Sequence, residues 1–212
     1  EAQIRAEIQG DLWYLQGLVF LADDPLLSRM LNYLLNGVRE RVFLLCSFIY
    51  DAQAIRRVRS EYYSDSETQR SYALEMLHVT LSRDLRLMVI ALLDDDLVSH
   101  QGLDVLVEIF GQGGIDRQQW LEGVITSSDV PAWLKVSTLY GIRTRNEGEA
   151  VEVVEKACQD SNVTVRETAE WTLHHLHNHT SGRGEMLLTI EKMLLLKSVD
   201  LFSHVPDPIL FE

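Results

Sequence analysis

Four histidines lie close together near the C-terminal third of the chain, at His174, His175, His177 and His179. His175 and His179 are one helical turn apart, and imidazoles at that spacing can share a metal ion. No acidic third ligand follows on that face. Histidines also sit favourably against the C-terminal dipole of a helix, so a solvated helix end is expected and no metal ligand is assigned. Gly111-Gln-Gly113-Gly114 has glycines of the kind that cradle phosphate. It lacks the last glycine of a dinucleotide fingerprint and any Lys-Ser or Lys-Thr pair, which leaves a helix end and turn. Asp94-Asp95-Asp96 could hold calcium, yet no loop closed by a glutamate follows, and a turn is again expected. Arg56, Arg57 and Arg59 make the densest basic patch, suited to an acidic partner or a membrane surface. Asp51 and Glu61 lie close enough to pair with part of it. No Ser-His-Asp or Cys-His order stands out, so no catalytic or cofactor-binding residue is assigned.

The totals narrow the class. Across 212 residues the formal net charge is −13, a surface that repels phosphate backbones. Nucleic acid is therefore not an expected partner. Cys46 and Cys158 are too few and too far apart for a disulfide framework or a metal site, and read as free thiols in a reducing, cytoplasmic compartment. Trp13, Trp120, Trp133 and Trp171 fall within helical patterns and are expected in the core. The longest fully apolar run, Leu87 to Leu93, is too short to span a bilayer. The chain opens at Glu1, without Met, inside an amphipathic pattern and without a signal peptide, and is read as a piece of a longer protein. The sequons at Asn162 and Asn178 are taken as chance.

Helical periodicity dominates the rest. Ile4, Ile8, Leu12 and Leu15 form one stripe of a helix over 2–22. Asp24-Pro25 restarts a longer helix to about Tyr50, with an apolar line through Leu27, Leu31, Leu34, Val38, Val42, Leu45 and Ile49. Asp51 caps a helix over Ala52–Tyr63. Ser64-Asp-Ser-Glu67 fits a capping box before a helix carrying Ala73, Leu77 and Leu81. Further helices are expected over Asp84–Leu93, Leu103–Phe110, Asp116–Thr126, Val130–Thr144, Gly148–Gln159, Asn162–Asn178 and Glu185–Lys197.

Three of these helices share a pattern. Arg166-x-x-Ala169-x-x-x-Leu173 matches Lys135-x-x-Thr138-x-x-x-Ile142 and Arg70-x-x-Ala73-x-x-x-Leu77, with the cations 31 and 65 residues apart. The small residue allows close helix approach and the Leu or Ile fills the core between units. Asp160, Val165, Arg166, Ala169 and Leu173 together resemble the second helix of the HEAT-repeat family. That resemblance implies an all-α fold, an α-α superhelical solenoid of paired antiparallel helices, over residues 1–182. It also implies that Asp160 and Arg166 stabilise a ladder between neighbouring units and take no part in catalysis.

A second resemblance covers 183–212. Ile190-Glu-Lys-Met-Leu-Leu-Leu-Lys197 and Leu201-Phe202 look like a linker helix and the truncated start of a cyclic-nucleotide-binding domain, whose barrel and phosphate cassette are missing. The order is similar to bacterial proteins that join an ATP/ADP-translocase-type transporter, a HEAT-like region and a cyclic-nucleotide-binding domain. This implies a non-enzymatic regulatory scaffold. Its partners would be adjacent domains or another protein chain. It would be tethered to the cytoplasmic face of a membrane through a missing N-terminal domain, without inserting itself. Two other HEAT-like classes share the fold: DNA glycosylases, which need a basic groove, and bilin lyases, which need a large apolar pocket. If the second resemblance holds, Glu185–Lys197 should dock against Asn162–His177, and the chain beyond Phe202 should be loosely held.

Overall fold

The computed structural model describes residues 1–20, 24–94, 101–111, 113, 115–144, 150–178 and 187–211. Among these the regular structure is entirely helical. The helices are α1 (Ala2–Phe20), α2 (Pro25–Ile49), α3 (Ala52–Tyr62), α4 (Glu67–Thr80), α5 (Arg83–Leu93), α6 (Gln101–Phe110), α7 (Arg117–Thr126), α8 (Ala132–Thr144), α9 (Val151–Ala157), α10 (Val163–Asn178), α11 (Thr189–Lys197), α12 (Asp200–Ser203) and α13 (Asp207–Phe211).

Short polar side chains start several of them by taking up free N–H groups. Asp24 Oδ1 accepts from the N–H of Leu26 and of Leu27, each at 3.0 Å. Asp51 Oδ1 accepts from Gln53 and Ala54 N–H at 2.8 Å. At α4 the cap is Ser66 and not Ser64: Ser66 accepts from Gln69 N–H at 3.5 Å, while Ser64 Oγ takes the N–H of Ser66 at 3.1 Å. Asp116 and Gln119 complete a capping box at α7. Asn162, two residues after Asp160, caps α10 by accepting from Thr164 N–H at 2.9 Å. Gly111, at φ 61°, ends α6 in the left-handed region that favours glycine.

The chain divides into two compact units: 1–22 with 31–114, and 23–30 with 115–212. Residues 187–211 therefore lie in the same unit as 115–178 and form no unit of their own.

In the first unit α1 packs on α5 and α6 through its buried Ile4, Ile8, Leu12 and Leu15, and α3, α4, α5 and α6 pack in sequence. The line expected along α2 holds only in part. Leu27, Leu31, Val38 and Val42 are buried, but Ile49 is 44% exposed, and Leu35, Phe43 and Cys46 are buried in its place. Residues 25–30 of α2 belong to the second unit and 31–49 to the first. Buried Arg39 on α2 donates to the carbonyls of Leu92 at 3.0 Å and Asp94 at 3.1 Å, taking up acceptors at the end of α5.

In the second unit α7 packs on α8 and α9, α9 on α10, and α8 on α10 and α11. Trp120, Val124, Leu134, Leu139, Ile142, Val154, Val165 and Ala169 fill the core. Each large aliphatic side chain buried there contributes about 2 kcal/mol. Helix α9 is shorter than expected and ends at Ala157.

The C-terminal stretch corrects two expectations. Helix α11 packs chiefly on α13, α12 and α8. Beyond Phe202 the chain is held: Asp207, at the start of α13, is buried between Arg29 of α2 and Lys197 of α11. Lys197 Nζ lies 3.2 Å from Asp207 Oδ1, and it donates to the carbonyls of Ser203, at 3.0 Å, and Val205.

Candidate functional site

The repeat positions meet where α8 lies beside α10. Lys135 Nζ on α8 donates to Asp160 Oδ2 at 2.6 Å, and the two side chains are only 7% and 11% exposed. Asp160 Oδ1 also accepts the N–H of Asn162 at 2.8 Å. Burial opposes ionisation of Asp160, but the Lys135 hydrogen bond, the Asn162 N–H and the charges of Lys135 and Arg166 outweigh it. They hold the carboxyl below its ordinary value.

Arg166 does not bond the Asp160 carboxylate. Its Nη1 donates to the main-chain carbonyls of Asp160 at 2.6 Å and Ser161 at 2.8 Å, tying the turn to the start of α10. Val165 and Ala169 are fully buried, whereas Leu173 is half-buried. Thr172 Oγ1 crosses to the carbonyl of Leu139 at 3.2 Å. These groups bind helices to one another and have the chemistry of a structural joint.

The arginines of α3 are mostly spent locally. Arg57 pairs with Glu61 at 2.9 Å and Arg59 with Glu40 at 2.7 Å. These hydrogen bonds raise both guanidinium values further. Asp51 caps the helix backbone instead of pairing with this patch. Arg56 makes no ion pair among the described residues. It lines a groove of about 400 Å³ with Phe43, Leu44, Ile55 and Arg59, beside Arg41. Arg41 itself pairs with Glu7, and with Asp11 at 2.6 Å, so the rim is close to neutral.

His174 and His177 are exposed near the end of α10, as expected of a solvated helix end, and His175 is half-buried. His179 lies outside the described residues. His175 packs against Trp171 with ring centroids 4.5 Å apart, and its Nδ1 is 2.8 Å from the Trp171 carbonyl. Trp171, expected in the core, is half-buried and lies parallel to Tyr140 of α8, 5.7 Å away at an interplanar angle of 3°. The Arg143 guanidinium lies 4.5 Å from the Trp171 ring centre. Among the described residues no group of three or more His, Cys, Asp or Glu side chains could hold a metal ion.

The sequence did contain a signal for this cluster. Tyr140 and Trp171, like Arg143 and His174, differ by the same 31 residues as Lys135 and Arg166. The repeat offset thus sets an aromatic residue and a basic one at matching positions of two neighbouring helices.

Neither thiol is poised for chemistry. Burial pushes Cys46 up to about 11, and burial with Glu170 and Glu155 nearby pushes Cys158 up as well. No helix among the described residues is long and apolar enough to cross a membrane. Compared with known proteins, the chain matches no family model, no curated protein and no solved structure.

Proposed function

We propose that the chain is a non-enzymatic interaction and regulatory scaffold of the HEAT-like type. In this reading α7–α8 and α9–α10 are successive units of an α-α solenoid. The observation that carries it is the stacking of α7 on α9 and α8 on α10, with Lys135 of one unit bonded to Asp160 of the next. Stacked pairs leave long helix faces to solvent, which suits binding other proteins. Residues 187–211 would couple a following cyclic-nucleotide-sensing domain to the repeats, and a preceding transporter-type domain would place the assembly on the cytoplasmic face of a membrane. The held tail favours a rigid joint: Asp207 fixes α13 against α11 through Lys197 and against α2 through Arg29.

The test begins with the gene sequence on both sides of this chain. The longer chain is then titrated with cyclic AMP and cyclic GMP while hydrogen exchange is followed across 160–200. Altered protection at the α11–α13 joint on binding is expected. Binding that leaves protection unchanged removes the coupling. A gene without a following nucleotide-binding domain removes the sensing role and leaves the scaffold alone.

A further inference from the structure

We propose that α11, α12 and α13 form one block that opens and closes against the rest of its unit, and that the Arg29–Asp207 ion pair is the latch that holds it shut. The latch stands on its own geometry. Its regulatory use, as the moving part of the joint, rests on the scaffold reading.

The block is weak by itself and tied together inside. Its helices are 9, 4 and 5 residues long. Isolated helices shorter than about 12 residues are marginal in water. Lys197, in the last turn of α11, donates to the carbonyls of Ser203, at 3.0 Å, and Val205, and its Nζ lies 3.2 Å from Asp207 Oδ1. One side chain thus bonds the end of α11 to the end of α12 and to the turn before α13.

Few groups hold this block to the rest of its unit. Among its described side chains only Ile190, Met193, Asp207 and Pro208 are buried. Ile190 and Met193 belong to α11, which packs on α8. Leu195, Val199, Leu201 and Ile209 are exposed in the closed block and add nothing to holding it.

Asp207 carries the closure. It is 3% exposed, and its Oδ2 accepts from Arg29 Nε, on the part of α2 that belongs to the same unit. That part of α2 is itself fixed: Leu27 and Met30 are buried, and Ser137 Oγ of α8 lies 2.8 Å from Met30 Sδ. A buried carboxylate is costly unless paired, whereas opening returns both charges to water. Arg29 is already half-exposed, so its own cost of release is small. A block bonded inside and pinned by one buried charge opens as a unit, the behaviour of a local cooperative element.

The test is hydrogen exchange on this chain, with no nucleotide and no further domain. The parent should show protection over 189–211, weaker than that of α8 and α10. Arg29→Gln should speed exchange over 189–211 about tenfold or more and leave α8 and α10 unchanged. Arg29→Lys, which keeps the charge, should retain most of the protection. Lys192→Gln, which removes an exposed charge from α11, should change nothing. Unchanged exchange over 189–211 in Arg29→Gln overturns the latch, as does a parent with no protection there. Acceleration spread equally over α8 and α10 also overturns it, because the tail would then open only with its whole unit. Opening by Arg29→Lys or Lys192→Gln as far as by Arg29→Gln removes the role of the ion pair. None of these results touches the stacking of α7–α8 on α9–α10, so the scaffold reading stands or falls separately.

Discussion

The helices α4 and α10 carry the same cation–small–apolar pattern and use it differently. In α4, Ala73 and Leu77 are fully buried, and the helix packs on α3 and α5. In α10, Ala169 is equally buried, but the helix lies beside α8, which carries the pattern too. There the acid before the pattern is bonded: Asp160 stands six residues ahead of Arg166 and meets Lys135. In α4, Asp65 stands five residues ahead of Arg70 and is exposed. The buried small residue therefore follows from helix packing in general. The link between units needs, in addition, an acid placed to reach the cation of the previous helix.

The largest expected effect breaks that link. Lys135→Ala should cost about 3 kcal/mol in urea denaturation, because Asp160 is left charged and mostly buried. Asp65→Ala should change stability by less than about 0.5 kcal/mol, since an exposed acid loses little. Ala169→Leu and Ala73→Leu should each cost about 2 kcal/mol by overpacking. A loss at Ala169 alone would show that the α4 contact is loose and the two patterns less alike than their burial implies.

Arg166→Ala comes next. It removes two charge-assisted bonds to the turn but no carboxylate pair, so about 1.5 kcal/mol is expected, with helix content by circular dichroism unchanged. A loss as large as that of Lys135→Ala would mean that Arg166 shares in holding the carboxylate.

The smallest effect is in pH. The folded Asp160 value lies below that of the unfolded chain, about 3.9. Its contribution is complete above that value and is lost as pH falls through the lower, folded one. Asp160→Asn should therefore unfold with a shallower loss of stability on the acid side. An acid limb identical to the parent's would place the titration elsewhere.

Much of the fold was legible in the sequence, because a helix that buries the same side along its whole length announces itself by one stripe. Ile4, Ile8, Leu12 and Leu15 are buried as their spacing implies. The stripe along α2 was misread past Val42, where Phe43 and Cys46 are buried and Ile49 is 44% exposed. Ser66, not Ser64, caps α4 because either serine satisfies the local pattern and only the path of the chain chooses. The burial of Asp207 had no signal: its partner Arg29 lies 178 residues away in the chain. Of the site, Val165 and Ala169 were legible from spacing. The roles of Lys135 and Arg166 were not, because Arg166 can reach the turn carbonyls while a shorter, straighter lysine reaches the carboxylate.

The most direct measurement of the joint between the helix pairs is a double-mutant cycle on Lys135→Ala and Asp160→Ala, read by urea denaturation. A coupling of about 2 kcal/mol is predicted, with the double variant more stable than the sum of single losses implies. Single losses that simply add, within about 0.5 kcal/mol, would contradict the link between α8 and α10 and with it the stacked-unit account of this chain.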